Sequence, residues 1–338
     1  MRRKSFRAVL TIVVALGALL GGGWWQLQRA LAPVDPNAKE TYFRVEDGDT
    51  LMTVLTRAEK QGLIRSATAV RLWSRLTGQS GTLAKGTFSV SASMSGNEFL
   101  QKLLSGRLVG QRVLVREGLW ITRLAKLLDS KGIDKAENVI REASKAEPLL
   151  AYVQDSPART LEGYLFPDTY DFPPLLGAKE TIGKMLEAFN RKVFEPLGRP
   201  KGDVLHKWVI IGSMVELEAA VPQDRRRIAG VIYNRLRIGM PLQIDATVAY
   251  AKGVWAPVTV RDYRLDHPYN TYRIRGLPPG PICSPGLDSI KAAANPEEHQ
   301  FLYYVAMPDK THLFSRTYDE HLRNISKSRK AFSEAGAR

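Results

Sequence analysis

The sequence predicts an α+β protein with three parts: an N-terminal transmembrane helix, a small βααβ module and a larger, mainly helical domain. Three observations lead to this fold class. A basic stub precedes a run of eighteen residues without charge, at residues 8–25. Strand-like and helix-like apolar patterns then follow one another within residues 41–90. From residue 204 onward, apolar residues recur mainly at helical spacing.

The first element is an apolar helix behind a basic stub. The stub contains no acid, and its basic residues are Arg2, Arg3, Lys4 and Arg7. At about 1.5 Å per residue, residues 8–25 just span a hydrocarbon core of about 30 Å. The alternative is a cleaved signal peptide, but its apolar region is only about 7–15 residues long and ends in small residues, not in Trp24 and Trp25. We therefore expect a single-pass protein of the inner membrane, with its folded part on the periplasmic side.

Composition narrows the classes of partner. The chain of 338 residues has a net charge of +15 and a single cysteine, Cys283. One cysteine cannot form an intramolecular disulfide, and Cys283 is interpreted as a small apolar packing residue. A basic exported domain suits anionic lipid or a carboxylate-bearing cell-wall polymer, and export argues against nucleic acid.

The second element is the βααβ module. Residues 42–45 alternate as in a strand, and residues 47–50 form a turn and helix cap. Apolar residues then recur at helical spacing after residue 51 and again after residue 67. Residues 85–90 close the module as a second strand.

The third part contains the candidate catalytic residue. In a helix over residues 208–218, Ile211, Met214, Val215 and Glu218 fall on one stripe. A carboxyl on an apolar stripe is desolvated, which raises its pKa and keeps it protonated, as a general acid requires. The structural alternatives are a surface Glu at a polar helix end and a core Glu in an ion pair. Glu216 points to the opposite side, which predicts a solvated or supporting role.

Polar residues downstream are candidates for a substrate groove. Gln243 and Asp245 precede a helical pattern, so Asp245 is equally suited to cap that helix. Asn270 and Tyr272 precede a Pro/Gly-rich segment at residues 276–281, which forms either a groove wall or a simple connection.

Other chemistries have weaker support. The four histidines considered as zinc ligands lack the close, regular spacing of such a site, and they are His267, His299, His312 and His321. The sequence contains neither a phosphate-binding Gly-rich loop nor a G-x-S-x-G nucleophile elbow.

Several long motifs occur together and in order. Residues 161–170 read L-E-G-Y-L-F-P-D-T-Y, residues 213–218 read S-M-V-E-L-E, and residues 227–236 read R-I-A-G-V-I-Y-N-R-L. Residues 239–248 read G-M-P-L-Q-I-D-A-T-V, followed by Y-N-T-Y at 269–272 and G-L-P-P-G at 276–280. With these motifs the chain resembles the endolytic murein transglycosylase family, also called MltG or YceG-like, over essentially its whole length. The G-D-T-L turn at residues 48–51 resembles LysM modules.

The resemblance implies a reaction and its residues. The family's catalytic glutamate falls on Glu218, which would first protonate the bond between N-acetylmuramic acid and N-acetylglucosamine. It would then act as a base while the muramyl C6 hydroxyl closes a 1,6-anhydro ring, so that one carboxyl serves both steps without water. The substrate-binding candidates are Gln243, Asp245, Asn270, Tyr272 and Glu216. Two departures from the family pattern flank the acid, namely Leu217 for Lys and Ala219 for a hydroxyl residue.

The resemblance also completes the predicted organisation. The predicted segments are 1–26 (stub and transmembrane helix), 27–40 (linker), 41–108 (LysM-like module), 109–326 (lysozyme-like or YceG-like catalytic domain) and 327–338 (polar tail). No metal or organic cofactor is expected. The expected partners are peptidoglycan glycan strands, membrane lipid through the N-terminal helix, and cell-wall synthases. The alternatives are a hydrolytic muramidase, which would pair Glu218 with Asp245 or Glu216, and a noncatalytic wall-binding scaffold.

Overall fold

The computed structural model describes residues 2–79, 81–254 and 256–336, with side chains from residue 13 onward. The chain is a mixture of helices and short strands and divides into two compact units. The first unit comprises residues 1–111 and 171–176, and the second comprises residues 112–170 and 177–338.

The first unit contains a βααβ arrangement flanked by two helices. In chain order its elements are α1 (Arg2–Leu31), β1 (Thr41–Val45), α2 (Leu51–Lys60), α3 (Ala67–Leu76), β2 (Gly86–Val90) and α4 (Gly96–Leu104). The two strands pair antiparallel, with Phe43 opposite Phe88. Both rings are fully buried in the core of the unit, so the alternation read from the sequence corresponds to one buried face of the sheet.

Local side-chain contacts explain where the helices of this unit begin. The Thr50 hydroxyl accepts a hydrogen bond from the Thr53 backbone N–H at 3.2 Å, and the Thr53 side chain accepts one from the Thr50 N–H in return. Gly48 precedes this cap with a positive φ of 79°, a conformation that side chains rarely adopt. Ser95 and Glu98 form the same kind of reciprocal cap at the start of α4.

Helix α1 differs from the expected helix and linker. It continues to Leu31, beyond residue 27 where the linker was expected, because Leu27, Ala30 and Leu31 pack on the core of the first unit. Within the described part of the chain, no helix is both long enough and apolar enough to cross a membrane. The predicted transmembrane helix is therefore not confirmed, and the side chains of its first residues, 8–12, lie outside the described part.

The second unit is mainly helical. Its first elements are β3 (Arg112–Leu114), α5 (Ile121–Ser130), α6 (Ala136–Ala143), α7 (Glu147–Leu150), β4 (Thr169–Asp171) and α8 (Ala178–Phe189). The chain continues through α9 (Gly202–Glu218), α10 (Arg225–Arg237), α11 (Asp245–Ala251), α12 (Leu287–Ala294), β5 (Tyr303–Ala306), β6 (His312–Ser315) and α13 (Tyr318–Gly336). Strands β5 and β6 pair antiparallel and form a hairpin.

Helix α9 lies at the centre of this unit. The predicted apolar stripe is correct in that Ile211, Met214 and Val215 are fully buried. The opposite side is buried as well, including Val209, because α12 packs against it. A Cβ atom at Gly212 would come within 3.2 Å of the Ile290 backbone, so a larger residue here would require the two helices to move slightly apart.

The C-terminal end also differs from the expectation. The segment predicted as a polar tail, 327–338, is helical as far as Gly336. Ser328 is buried, and its hydroxyl donates a hydrogen bond to the Ala306 carbonyl at 2.7 Å. Contacts with the β5–β6 hairpin therefore stabilise a helix whose own sequence is mostly polar.

Candidate active site

Glu218 is the last residue of α9 and lies where two cavities meet. The first cavity, of about 380 Å³, is lined mainly by apolar side chains such as Leu217, Ala249 and Val258. The second cavity, of about 400 Å³, is lined mainly by polar and aromatic side chains. Glu218 and Asp245 line both cavities. A linear ligand that occupies both cavities would therefore pass directly over these two carboxyl groups.

The electrostatic environment of Glu218 suits a proton donor. Burial raises the pKa of its carboxyl from 4.5 to about 7, and the nearby charge of Asp245 acts in the same direction. A hydrogen bond from the Tyr304 hydroxyl to Glu218 Oε2, at 3.0 Å, and the charge of Arg235 oppose this shift. Glu218 is thus largely protonated somewhat below neutral pH, and a donor is in place to stabilise its carboxylate after proton transfer.

The β5–β6 hairpin positions Tyr304. Its ring meets the ring of His312 edge-on, at a centroid distance of 5.5 Å, and His312 lies opposite Ala306 on the neighbouring strand. The Nδ1 atom of His312 is 2.9 Å from Asp224 Oδ2, and both side chains are almost completely buried. These contacts restrict the orientation in which Tyr304 reaches Glu218.

Asp245 begins helix α11, but its side chain does not cap the helix. No side-chain cap is formed at this helix start, and Asp245 Oδ1 instead accepts a hydrogen bond from the Tyr272 hydroxyl at 2.6 Å. The capping alternative is therefore wrong. The Tyr272 ring stacks on Tyr263 with a centroid distance of 4.0 Å. Asp245 and Tyr272 thus lie together in the second cavity.

Gln243 also lines the second cavity. It has a positive φ of 51°, unusual for a residue other than glycine, and its N–H donates to the Thr271 carbonyl at 3.1 Å. Exposure alternates along this segment: Gln243 and Asp245 are exposed, whereas Leu242 and Ile244 are buried. This alternation anchors the segment in the core and leaves its polar side chains facing the cavity.

Two predicted groove residues have structural contacts instead. Asn270 is fully buried, donates from Nδ2 to the carbonyls of Tyr263 and Leu265, and accepts from the Tyr272 N–H. It orders the loop that carries Tyr272 and does not line either cavity. Glu216 Oε2 accepts a hydrogen bond from the Gly286 N–H at 2.9 Å, at the start of α12. Neither side chain lines the two cavities at Glu218. The prediction failed because the polarity of a residue does not show whether its polar atoms face a cavity or bind backbone groups.

The sequence reasoning missed other cavity residues. Besides Tyr304, the second cavity is lined by Arg235, Tyr303, Tyr318 and His321. Arg235 lies within the R-I-A-G-V-I-Y-N-R-L motif at residues 227–236, so the motif already pointed to this residue, but the sequence analysis assigned it no role. The aromatic pair at 303–304 is a strand pattern whose proximity to Glu218 depends on the fold.

The remaining candidates lie elsewhere. The Pro/Gly segment at residues 276–281 lines neither cavity and connects to residues that pack on α9, where the Ile282 N–H donates to the Ser213 hydroxyl at 3.1 Å. Cys283 is buried, and burial raises the pKa of its thiol. Among residues 2–79, 81–254 and 256–336, no three His, Cys, Asp or Glu side chains are grouped to hold a metal ion.

Comparisons with known proteins agree with one another. The model of the YceG-like family matches residues 43–327. An endolytic murein transglycosylase of Bacillus subtilis is 31% identical over 321 residues, which cover 90% of this chain and 89% of the relative. One of Streptococcus pneumoniae is 30% identical, and the match covers 96% of this chain but 65% of that longer protein. The crystal structure of a yceG-like protein from Listeria monocytogenes is 28% identical with a TM-score of 0.56, and the match covers 85% of this chain and 99% of that one.

Proposed function

The chain belongs to the YceG-like family, and we propose that it is an endolytic peptidoglycan lytic transglycosylase with Glu218 as its general acid and base. The observation that carries the proposal is the Glu218 carboxyl itself. Its pKa is raised to about 7, it accepts a hydrogen bond from Tyr304, and it lies where two cavities meet. A wall-binding scaffold without catalysis would have no need for such a group.

In the first step, protonated Glu218 donates its proton to the oxygen that links N-acetylmuramic acid to N-acetylglucosamine. The C1–O bond then breaks, and positive charge develops on the muramyl ring. The Asp245 carboxylate lies in the same cavities and stabilises this charge electrostatically. The Tyr272 hydroxyl donates a hydrogen bond to Asp245 Oδ1 and so holds this carboxyl in place.

In the second step, the Glu218 carboxylate removes the proton of the muramyl C6 hydroxyl, whose oxygen bonds to C1. The products are a 1,6-anhydro end and a free N-acetylglucosamine end, and no water is consumed. The Tyr304 hydroxyl stabilises the intermediate carboxylate of Glu218. Proton donation and proton removal thus occur at one side chain.

The positions of the cavities support cleavage within a strand. Because Glu218 and Asp245 line both cavities, sugars can be held on each side of the bond to be broken. The aromatic rings of Tyr272, Tyr303 and Tyr304 offer flat apolar faces to sugar rings in the second cavity. A site with subsites on both sides suits an endolytic enzyme.

A hydrolytic muramidase is the second candidate, and one observation favours it. Asp245 lies close enough to Glu218 to raise its pKa, so the cavity contains a second carboxylate that could activate water. Product mass separates the two reactions, since a hydrolysed end is one water heavier than an anhydro end.

The test is mass spectrometry of the products that the purified chain releases from glycan strands. We expect anhydro ends, and loss of at least about 10²-fold in rate for Glu218→Gln. Glu216→Gln is the matched control, since it makes the same change two residues away in the same helix. Hydrated ends would establish the muramidase, and full activity of a folded Glu218→Gln protein would refute both reactions.

Location and partners form a further part of the proposal. The N-terminal helix would hold the chain at the inner membrane with its folded units in the periplasm, which the basic stub at residues 2–7 supports. In spheroplasts, external protease should then reach residues beyond 31, and a protected C-terminus would contradict this placement. Cell-wall synthases remain the suggested protein partners.

The first unit would act as a LysM-like module that holds glycan. Its βααβ order and the turn at Gly48 support this role. Deleting residues 41–90 should weaken binding to glycan strands while the second unit stays folded. Unchanged binding would reduce the module to a spacer.

A further inference from the structure

Arg235 is a buried cation in the second cavity, and its partners are neutral. Only 7% of its surface is exposed. Its Nε donates to the Leu302 carbonyl at 2.7 Å, and its Nη1 donates to the Leu242 carbonyl at 2.6 Å and the Pro241 carbonyl at 3.4 Å. No carboxylate of the described residues lies within ion-pair distance of it. Burying an unpaired charge destabilises a fold, so this guanidinium calls for a further explanation.

The hydrogen bonds leave one edge of the guanidinium available. Nε and Nη1 are occupied by the three carbonyls, whereas Nη2 makes no hydrogen bond to any described residue. The face of the group lies against Tyr303, with Cζ 5.3 Å from the ring centroid. Since Arg235 also lines the second cavity, Nη2 is the part left for a bound molecule.

The other charges of the cavity do not neutralise Arg235. The Asp245 carboxylate accepts a hydrogen bond from the Tyr272 hydroxyl. It lies at the N-terminal end of α11, where the helix dipole favours negative charge. Glu218 is largely protonated somewhat below neutral pH, because burial raises its pKa to about 7. The cavity therefore offers one positive group to an incoming anion.

We propose that Arg235 binds a carboxylate of the glycan strand and so selects muramyl residues over plain N-acetylglucosamine in the second cavity. This inference rests on the proposed function, since it takes the strand as the ligand. The carboxylate has two possible sources, namely the lactyl group of a peptide-free muramyl residue or the stem peptide of a substituted one. Guanidinium and carboxylate form charge-assisted hydrogen bonds, which are stronger and more specific than bonds to sugar hydroxyls.

The experiment measures binding, so it does not depend on the reaction. The full-length Glu218→Gln chain is titrated with four tetrasaccharides by calorimetry. These are a peptide-free muroglycan, the same muroglycan with its lactyl carboxylates converted to methylamides, a peptide-bearing muroglycan, and chitotetraose, which has no lactyl group. We expect at least one carboxylate-bearing ligand to bind about 10- to 100-fold more tightly than the methylamide and chitotetraose.

The pattern identifies the source and can overturn the inference. Tight binding of the peptide-free ligand alone assigns the lactyl carboxylate, and tight binding of the peptide-bearing ligand alone assigns the stem peptide. Tight binding of both shows that Arg235 accepts either carboxylate. Equal binding of all four ligands, or binding of none, refutes the inference. The proposed reaction is judged separately by product release from the protein with Glu218, so the two can fail independently.

A protein-side variant supplies the second comparison. Adding Arg235→Gln should lower the affinity for the carboxylate ligand to that of the methylamide, while binding of chitotetraose changes by less than about threefold. An equal loss for every ligand would show that Arg235 only holds the cavity walls, and would overturn the inference. If this variant does not fold, the four ligands on the protein that retains Arg235 still decide the question.

Discussion

Glu218→Gln should make the protein more stable at alkaline pH, even as it removes activity. In the folded chain, burial raises the Glu218 pKa from 4.5 to about 7. The folded state therefore prefers the protonated carboxyl, and stability is lost as pH rises through this range. At about 1.36 kcal/mol for each tenfold change in proton affinity, the rise in pKa from 4.5 to about 7 corresponds to roughly 3 kcal/mol in full. Glutamine does not titrate and avoids this loss.

The size of the stability change depends on the pH range compared and on the access of water to the Glu218 carboxylate. Most of this loss of stability occurs between about pH 5 and pH 8. Contact of the carboxylate with water in the cavity makes the loss smaller than the full value. We therefore expect the stability of the variant relative to the parent to increase by about 2 kcal/mol between these conditions. The buried Glu162 carboxyl, whose pKa burial also raises to about 7, is present in both proteins and cancels in the comparison.

The assay is denaturant unfolding of both proteins at the two pH values. The quantity of interest is the change with pH in the difference between their unfolding free energies. A difference that stays constant from pH 5 to pH 8 would mean that Glu218 is not desolvated, and the argument for it as a proton donor would fail. A difference of the opposite sign would indicate an ion pair in place of a desolvated acid.

Three further outcomes are expected. Tyr304→Phe removes a donor that favours the Glu218 carboxylate, so the alkaline limb of the pH profile of kcat/KM should move up by about one unit, and an unmoved limb would contradict this role. Asn270→Ala should destabilise the fold by about 1–3 kcal/mol in denaturant unfolding, because two carbonyls lose their donor; unchanged stability would contradict this structural role. Glu216→Gln should keep most of its rate of product release, since Gln can still accept from the Gly286 N–H, whereas a loss of more than about tenfold would make Glu216 a site residue.

Local periodicity was sufficient to predict that Glu218 lies on the apolar stripe of α9, but not what surrounds its carboxyl. The position of Glu218 follows from the rotation of a helix, which a short sequence window contains. Tyr304 lies 86 positions away in sequence, and Arg235 lies on the following long helix, so only the fold brings their side chains to the carboxyl. No spacing rule connects residues on separate elements.

The errors concern burial more than element type. The strands and helices of the βααβ module lie close to where the sequence predicted them. Asn270 was expected in a groove because of its polarity and the family resemblance, yet its polar atoms bind backbone groups in the interior. The helical ends at Leu31 and Gly336 depend on packing against other elements, which the composition of those segments does not reveal.

The packing of the C-terminal end of α1 against the βααβ module has a mechanical consequence. Leu31 is only 4% exposed, and a side chain in place of Gly96 would come within 3.1 Å of it, so the helix end is tightly enclosed. Trp24 lies two turns before Leu31 in α1, and its ring is 5.9 Å from the ring of Trp73. Bending at the junction would expose Leu31, at a cost of about 1.5–3 kcal/mol. Helix α1 and the βααβ module therefore move as one rigid body, so that a tilt of the helix also rotates the module.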